Sequence, residues 1–327
     1  MRANLYTLLK ADEKQVRKII KKILKENGYK VVAREDFIYA EGTVPVLLVG
    51  HYDTVAESPR YIKNDDGVLS GMMNGRPHQL GADDRAGIYA ILETIRNHHC
   101  HVLFTGGEER GGIGAEAFTR SEIKPAVNYV LQFDRKGSND AVYYWAENED
   151  FEKFIADRGW KKAEGTYTDI VDLCPYLGVM GVNLSIGYKN EHTTSETLDT
   201  DVMNLNIKRI PALLDGERFE YKESTKYSNW FRGVYSGGYY NDYDDDYVNW
   251  WRMEDEKNSS SKDTYYTVVY EDEDGTLFYE ELKADSYFAA IGYFLYTFSF
   301  LTYESIVEIV KGRLSDEDKQ ELVGYVH

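Results

Sequence analysis

The chain has 327 residues, 43% of them hydrophobic and 29% charged, with a net charge of −18. That length and balance allow a sizeable core and more than one domain, and the negative charge excludes a nucleic-acid partner, which needs basic patches against phosphate. Residues 215–327 hold 25 acidic and 11 basic side chains, so most of the charge belongs to the last third and says little about a ligand of the first part.

Residues 12–27 read as a helix. Asp12 and Gln15 have capping-box spacing, Val16, Ile19, Ile20, Ile23 and Leu24 share one face, and Gly28 ends it. Lys30–Ala33 and Phe37–Ala40 read as a short hairpin. Val44–Val49 is a continuous apolar, β-branched run, the mark of a strand buried on both faces. Turns and short strands are expected over 60–80, around Gly67 and Gly75. Helices are expected at Asp84–Asn97, 114–120, 150–158 and 200–214, and strands at His101–Thr105, Asn128–Phe133 and Gly178–Ile186. The alternation indicates an α/β sandwich with helices on both faces of the sheet.

After residue 215 the composition changes. Residues 216–262, rich in Tyr, Gly and Asp, read as an irregular linker or a loop wrapping the first domain. Tyr265–Tyr270 and Thr276–Leu282 read as a hairpin with an acidic turn. Helices are expected from Asp285 or Ser286 and from Ser315, so 263–327 forms a small acidic α+β module. Ser286–Tyr303 lacks charge over 18 residues, but its four tyrosines and its length, short of the ~20 apolar residues of a span, favour a buried helix over a membrane one. Two cysteines, Cys100 and Cys174, are too few for a disulfide framework or a thiolate metal site. The N-terminus lacks an apolar signal core, and a reducing, cytoplasmic location is expected.

Five short pieces carry chemistry. His51-Tyr-Asp53 follows a buried strand, where α/β proteins place ligands; Asp53 is spaced to fix the tautomer of a metal-bound His51. Asp83-Asp84 opens a helix, where one carboxylate suffices as a cap and the other is free to point into a site. Gly106-Gly107-Glu108-Glu109 brings two carboxylates to one region, one fit to bind a metal and one to take a proton from water. Asp134 ends the next apolar strand, and His192 lies in a late loop. Singly, each has a plain alternative: a polar strand end, a helix cap, a solvated acidic turn, a turn cap, a surface histidine. His98, His99 and His101 crowd a helix-to-strand junction without partners in register and read as exposed junction residues, as His78 does in its turn.

Taken in order, the five pieces resemble the co-catalytic two-zinc exopeptidase superfamily, which includes bacterial di-zinc aminopeptidases, tripeptidases, glutamate carboxypeptidases and aminoacylases. The resemblance covers about residues 12–214. It implies a three-layer α/β sandwich with a mixed, mostly parallel sheet, two Zn2+ ions (Co2+ or Mn2+ as substitutes), and a cis peptide at Asp83–Asp84. It implies His51 and Asp134 as ligands of one metal, Glu109 and His192 of the other, Asp83 as the bridge, Asp53 as the orienter of His51, and Glu108 as general base. The 134–192 interval is too short for the lid domain of some branches, which points to the compact aminopeptidase branch. The expected activity is cleavage of a small peptide by an aminopeptidase-like exopeptidase. An N-acyl amino acid amidohydrolase would share every metal residue, and an inactive binding protein acting through its C-terminal region is the third reading. Arg135 and Asp169 are candidate substrate contacts, for a carboxylate or oxyanion and for an amine respectively, beside the plainer roles of surface residue and helix cap.

Overall fold

The computed structural model describes residues 3–144, 146–165, 167–224, 265–271, 277–283 and 306–311. The chain divides into two compact units, 1–238 and 239–327.

The first unit opens with α1 (Leu5–Lys10) and α2 (Glu13–Glu26). The capping box of α2 forms: Gln15 N donates to Asp12 Oδ1 at 2.8 Å, and Asp12 N to Gln15 Oε1 at 3.0 Å. At its far end Gly28 adopts φ +81°, so that Gly28 N reaches Lys25 O and Tyr29 N reaches Leu24 O, a Schellman closure. Val16, Ile20, Ile23 and Leu24 are buried, each contributing roughly 1.5–3 kcal/mol.

Six strands and a helix follow: β1 (Val31–Ala33), β2 (Phe37–Ala40), β3 (Val44–His51), β4 (Tyr61–Asp65), β5 (Val68–Met73), β6 (Arg76–His78) and α3 (Ala82–Thr94). Then come β7 (Cys100–Thr105), α4 (Ile113–Thr119), β8 (Tyr129–Arg135), β9 (Asp140–Val142), α5 (Glu149–Ala156), β10 (Lys161–Ala163), α6 (Ile170–Leu177) and β11 (Gly181–Ser185). The unit's last elements are β12 (Tyr188–Lys189), β13 (Thr197–Asp199), α7 (Thr200–Arg209) and a 3-10 turn, Ile210–Leu213, which replaces the end of the expected 200–214 helix at Pro211.

Eight strands make the main sheet, in the order β1-β2-β7-β3-β8-β11-β9-β10. Its centre, β7-β3-β8-β11, is parallel, while β1-β2, β2-β7 and β11-β9 are antiparallel. Neighbouring residues of the central strands face opposite layers. Val46, Leu48, Val102, Phe104, Leu131 and Phe133 pack with the buried faces of α1, α2, α3 and α5. Leu47, Val49, Leu103 and Val130 pack with those of α4 and α6. This is why the strands read as unbroken apolar runs. A smaller sheet, β12-β13-β5-β4 with β6 paired to β5, is antiparallel.

Several expectations are corrected. The late strand is shorter than Gly178–Ile186. The 134–192 interval holds two helices rather than one, and its strands β9, β10 and β11 all join the main sheet. His101 is buried, not exposed: its Nδ1 lies 3.0 Å from the Tyr39 hydroxyl. His99 stacks on Tyr29 with ring centroids 4.0 Å apart. Residues 216–224 return to the domain. Phe219 exchanges backbone bonds with Asn128 and Met180, and isolated bridges join Val179 to Glu220 and Ala146 to Glu223.

In the second unit, β14 (Tyr265–Glu271) pairs antiparallel with β15 (Leu277–Lys283). It also pairs with β16 (Ile306–Lys311), a strand not foreseen. The remainder of the 216–262 segment, the acidic turn, both expected C-terminal helices and the uncharged 286–303 stretch lie outside the described residues. Among the described residues no helix is long and apolar enough to cross a membrane.

Candidate metal centre

Three adjacent parallel strands, β7, β3 and β8, end at the same edge of the sheet. That alone brings together the 106–109 loop, His51 and Asp134. The fourth and fifth pieces arrive through the small sheet: the chain leaves β6 into the 79–83 segment, and His192 sits between β12 and β13.

The Asp83–Asp84 peptide is cis, and the two residues have non-helical backbone angles before the regular part of α3. Their side chains divide. Asp84 Oδ1 accepts from Gly87 N at 2.9 Å and Oδ2 from His51 N at 3.2 Å. Asp83 turns to the imidazoles: its Oδ1 lies 3.0 Å from His51 Nε2 and its Oδ2 3.2 Å from His192 Nε2. Asp134 Oδ1 is 3.4 Å from His51 Nε2, and Glu109 Oε1 is 2.9 Å from His192 Nε2. Two donor groups thus share one carboxylate. Glu108 Oε2 stands farther off, 4.0 Å from His51 Nε2. Asp84 also falls within reach of the His51–Asp134 group, but both its oxygens are already engaged by backbone donors.

Behind these residues lies a supporting layer. Asp53 Oδ1 is 3.4 Å from His51 Nδ1, and the Asp53 oxygens face the backbone N–H groups of Glu108 and Glu109 at 3.3 Å each. Asp134 accepts from the Tyr188 hydroxyl (3.1 Å), the Thr168 hydroxyl (3.0 Å) and Gln132 Nε2 (3.2 Å). Asn183 brackets its backbone, accepting from Asp134 N at 2.8 Å and donating to Asp134 O at 2.7 Å. Of the partners of Asp134, Asn183 and Gln132 leave a trace in the sequence, as polar breaks in the apolar Val182–Leu184 and Leu131–Phe133 runs. Arg85, 1% exposed, donates to the carbonyls of Tyr52 and Ala11. Glu196, fully buried, accepts from backbone donors of the 80–83 segment; no sequence pattern marks it.

Arg135 donates to the Glu164 carbonyl at 2.9 Å. Asp169 has no exposed surface and accepts from the Thr105 hydroxyl at 2.5 Å. It makes no side-chain cap for α6.

The electrostatics test the fit of a cation. Burial, then the Asp83 charge, pushes Asp134 up to about 7, and burial with neighbouring carboxylates pushes Glu108 well up. Burial works against protonation of His192, yet Asp83 and Glu109 raise it to about 11. His51 is raised in the same way, Asp134 outweighing its burial. Buried carboxylates crowded this closely demand positive charge; the polypeptide meets that only by holding protons on its imidazoles and carboxyl groups, whereas a divalent cation would meet it with the imidazoles neutral and the carboxylates ionised. Two imidazoles and three carboxylates are a donor set suited to zinc.

The first unit is similar to known peptidases, in a stretch of its sequence and in its fold. Residues 38–174 match the family model of Peptidase family M28. A curated relative, the uncharacterized protein YqjE of Bacillus subtilis (strain 168), is 30% identical over 115 residues, 33% of this chain and 28% of that protein. This chain therefore matches little more than a quarter of that relative's length. Among solved structures, a tripeptidase from Staphylococcus aureus has a TM-score of 0.54 at 15% identity, over 64% of this chain and 95% of that one. Aminopeptidase PepT from Bacillus cereus has 0.53 at 15% identity, over 64% and 96%. At that identity the likeness is one of fold.

Proposed function

We propose that the first unit is a two-zinc exopeptidase that releases residues from the amino end of small peptides. The observation that carries this reading is the Asp83 carboxylate, one oxygen facing each imidazole at 3.0 and 3.2 Å. His51 and Asp134 would hold one ion, Glu109 and His192 the other, with Asp83 able to serve both. Asp53, on the far nitrogen of His51, keeps Nε2 free for the metal.

Zinc, when bound, supplies a Lewis acid that polarises the scissile carbonyl and acidifies water. Glu108, beside the donor groups but farther from His51 Nε2 than either ligand carboxylate, takes the proton of the attacking water and returns it to the leaving amine. Its buried setting raises its proton affinity, which suits a group that must both accept and donate near neutrality. Arg135 supplies a cation beside Asp134 for a substrate carboxylate or oxyanion. The names of the two solved structures, a tripeptidase and an aminopeptidase, support a peptide substrate over an N-acyl amino acid.

The test is zinc titration of the stripped protein, with hydrolysis of aminoacyl-nitroanilides set against N-acyl amino acids. Two equivalents of zinc and turnover of the former are expected. Turnover of the latter alone makes the protein a deacylase, and no turnover of either with two zincs bound makes it a binding protein.

A further inference from the structure

Glu196 is four residues beyond His192, and nothing in the mechanism above uses it. It has no exposed surface, and a buried carboxylate is retained only where donors satisfy it. Its Oε2 accepts from Leu80 N at 2.9 Å and Gly81 N at 2.8 Å, and its Oε1 from Asp83 N at 3.1 Å. Three backbone donors of the segment that presents Asp83 therefore end on one side chain.

The loop that carries Glu196 is itself braced. The Thr193 hydroxyl donates to Asn190 O at 2.7 Å and accepts from Ser195 N at 3.2 Å, and Glu196 N donates to Thr193 O at 3.2 Å. His192 and Glu196 thus move as one body. His192 is the most exposed of the five ligands, its side chain 46% exposed, and no strand holds it in place as β3 and β8 hold His51 and Asp134.

We infer that Glu196 is a positioning residue, a carboxylate clamp that locks the His192 loop to the backbone of Asp83 and so fixes where the second ion sits relative to the first. The 190–196 loop grips the Asp83 segment at two points: His192 Nε2 meets the side-chain oxygen, and Glu196 holds the backbone. Without the second grip the shared carboxylate and His192 vary independently. This rests on the two-zinc reading.

The experiment measures zinc binding by the full-length protein, stripped of metal and titrated against a chromophoric competitor, for wild type, Glu196→Gln and Glu196→Asp. Outer partners of metal ligands typically govern ~10–100-fold in affinity. Glu196→Gln, which puts an amide N–H against backbone donors, is expected to weaken the second zinc by that factor. Glu196→Asp, which keeps the charge and both acceptors on a shorter arm, is expected to fall between. A purely structural tie lowers the unfolding midpoint of the zinc-free protein but leaves zinc affinity of the folded protein unchanged; that result overturns the inference. So does failure of both variants to fold, since the residue is then a folding element. If the wild type itself fails to bind two zincs, the two-zinc reading fails, a result separate from any behaviour of the variants.

Discussion

Gly87 sits inside α3, where helix propensity alone favours alanine by up to ~1 kcal/mol. The surroundings reverse the sign. A Cβ at this position would lie 2.5 Å from the Phe133 carbonyl oxygen and closer still to Asp84 Oδ1, against an ordinary contact of 3.4 Å or more. Neither neighbour yields easily: Phe133 is in β8 just before Asp134, and Asp84 is pinned by Gly87 N and His51 N. A shift of about 1 Å must be shared between α3 and β8, two elements that carry proposed metal ligands. Overpacking costs ~1–3 kcal/mol. With pinned neighbours the upper half applies, and after the propensity gain a net loss of ~1–2 kcal/mol remains. For a domain of this size that lowers the unfolding midpoint by roughly 2–8 °C. The same displacement at the ligands is large enough to reduce turnover by about 100-fold. Gly87→Ala is tested by thermal unfolding of the zinc-free protein and by peptide hydrolysis with zinc. An unchanged or raised midpoint together with unchanged turnover would refute the packing argument.

Glu108→Gln should keep both zinc equivalents and lose turnover by ~10²–10⁴-fold; loss of a zinc equivalent instead would exchange the roles of Glu108 and Glu109. Asn183→Ala strands the backbone N–H and C=O of Asp134 as well as the Tyr144 hydroxyl. At ~1–3 kcal/mol for a stranded buried group, urea unfolding should show a loss of at least that size. Burial lowers the His101 pKa below its ordinary 6.5, so the folded state holds the ring neutral while the unfolded chain protonates it first. The stability this provides is present above pH 6.5 and falls away as the pH drops below it. Unfolding free energies of wild type and His101→Gln from pH 7.5 to 5 should therefore converge on acidification, and parallel curves would count against the assignment.

The sequence announces the central strands because each is buried on both faces, and the helix at 13–26 because its caps and its apolar stripe agree. The metal-centre residues are legible for a different reason. Side chains at the ends of parallel strands follow closely after apolar runs, so His51, Glu108 and Asp134 are marked by position. Their supports are not. Glu196 reaches the site across more than 110 residues of chain, and Tyr188, Thr168 and Arg85 have no local pattern that separates them from ordinary turn or helix residues. Asp169 shows the converse: a carboxylate in a loop before a strand reads as exposed, and only the packing of α6 against the sheet shows that it is enclosed. His101 failed likewise, since a histidine beside a turn gives no hint of the Tyr39 hydroxyl one strand away. β1, β2 and the small sheet follow from turn chemistry. β16 pairs with a strand some 40 residues earlier, a long-range partnership that local periodicity cannot report.

The return of residues 216–224 bears on how the first unit is to be isolated. The Phe219 ring lies 5.0 Å from Phe151, 5.4 Å from Phe154 and 5.8 Å from Tyr129, centroid to centroid. Each such pair is worth ~0.5–1.5 kcal/mol beyond area burial. Tyr129 begins β8, the strand that ends at Asp134. A fragment cut where the composition changes, at residue 215, would strip this aromatic lid and the backbone bonds to Asn128 and Met180, baring an apolar patch at the root of that strand. The shortest fragment that keeps the lid runs through Ser224, whose hydroxyl closes the segment on Glu147 at 2.9 Å.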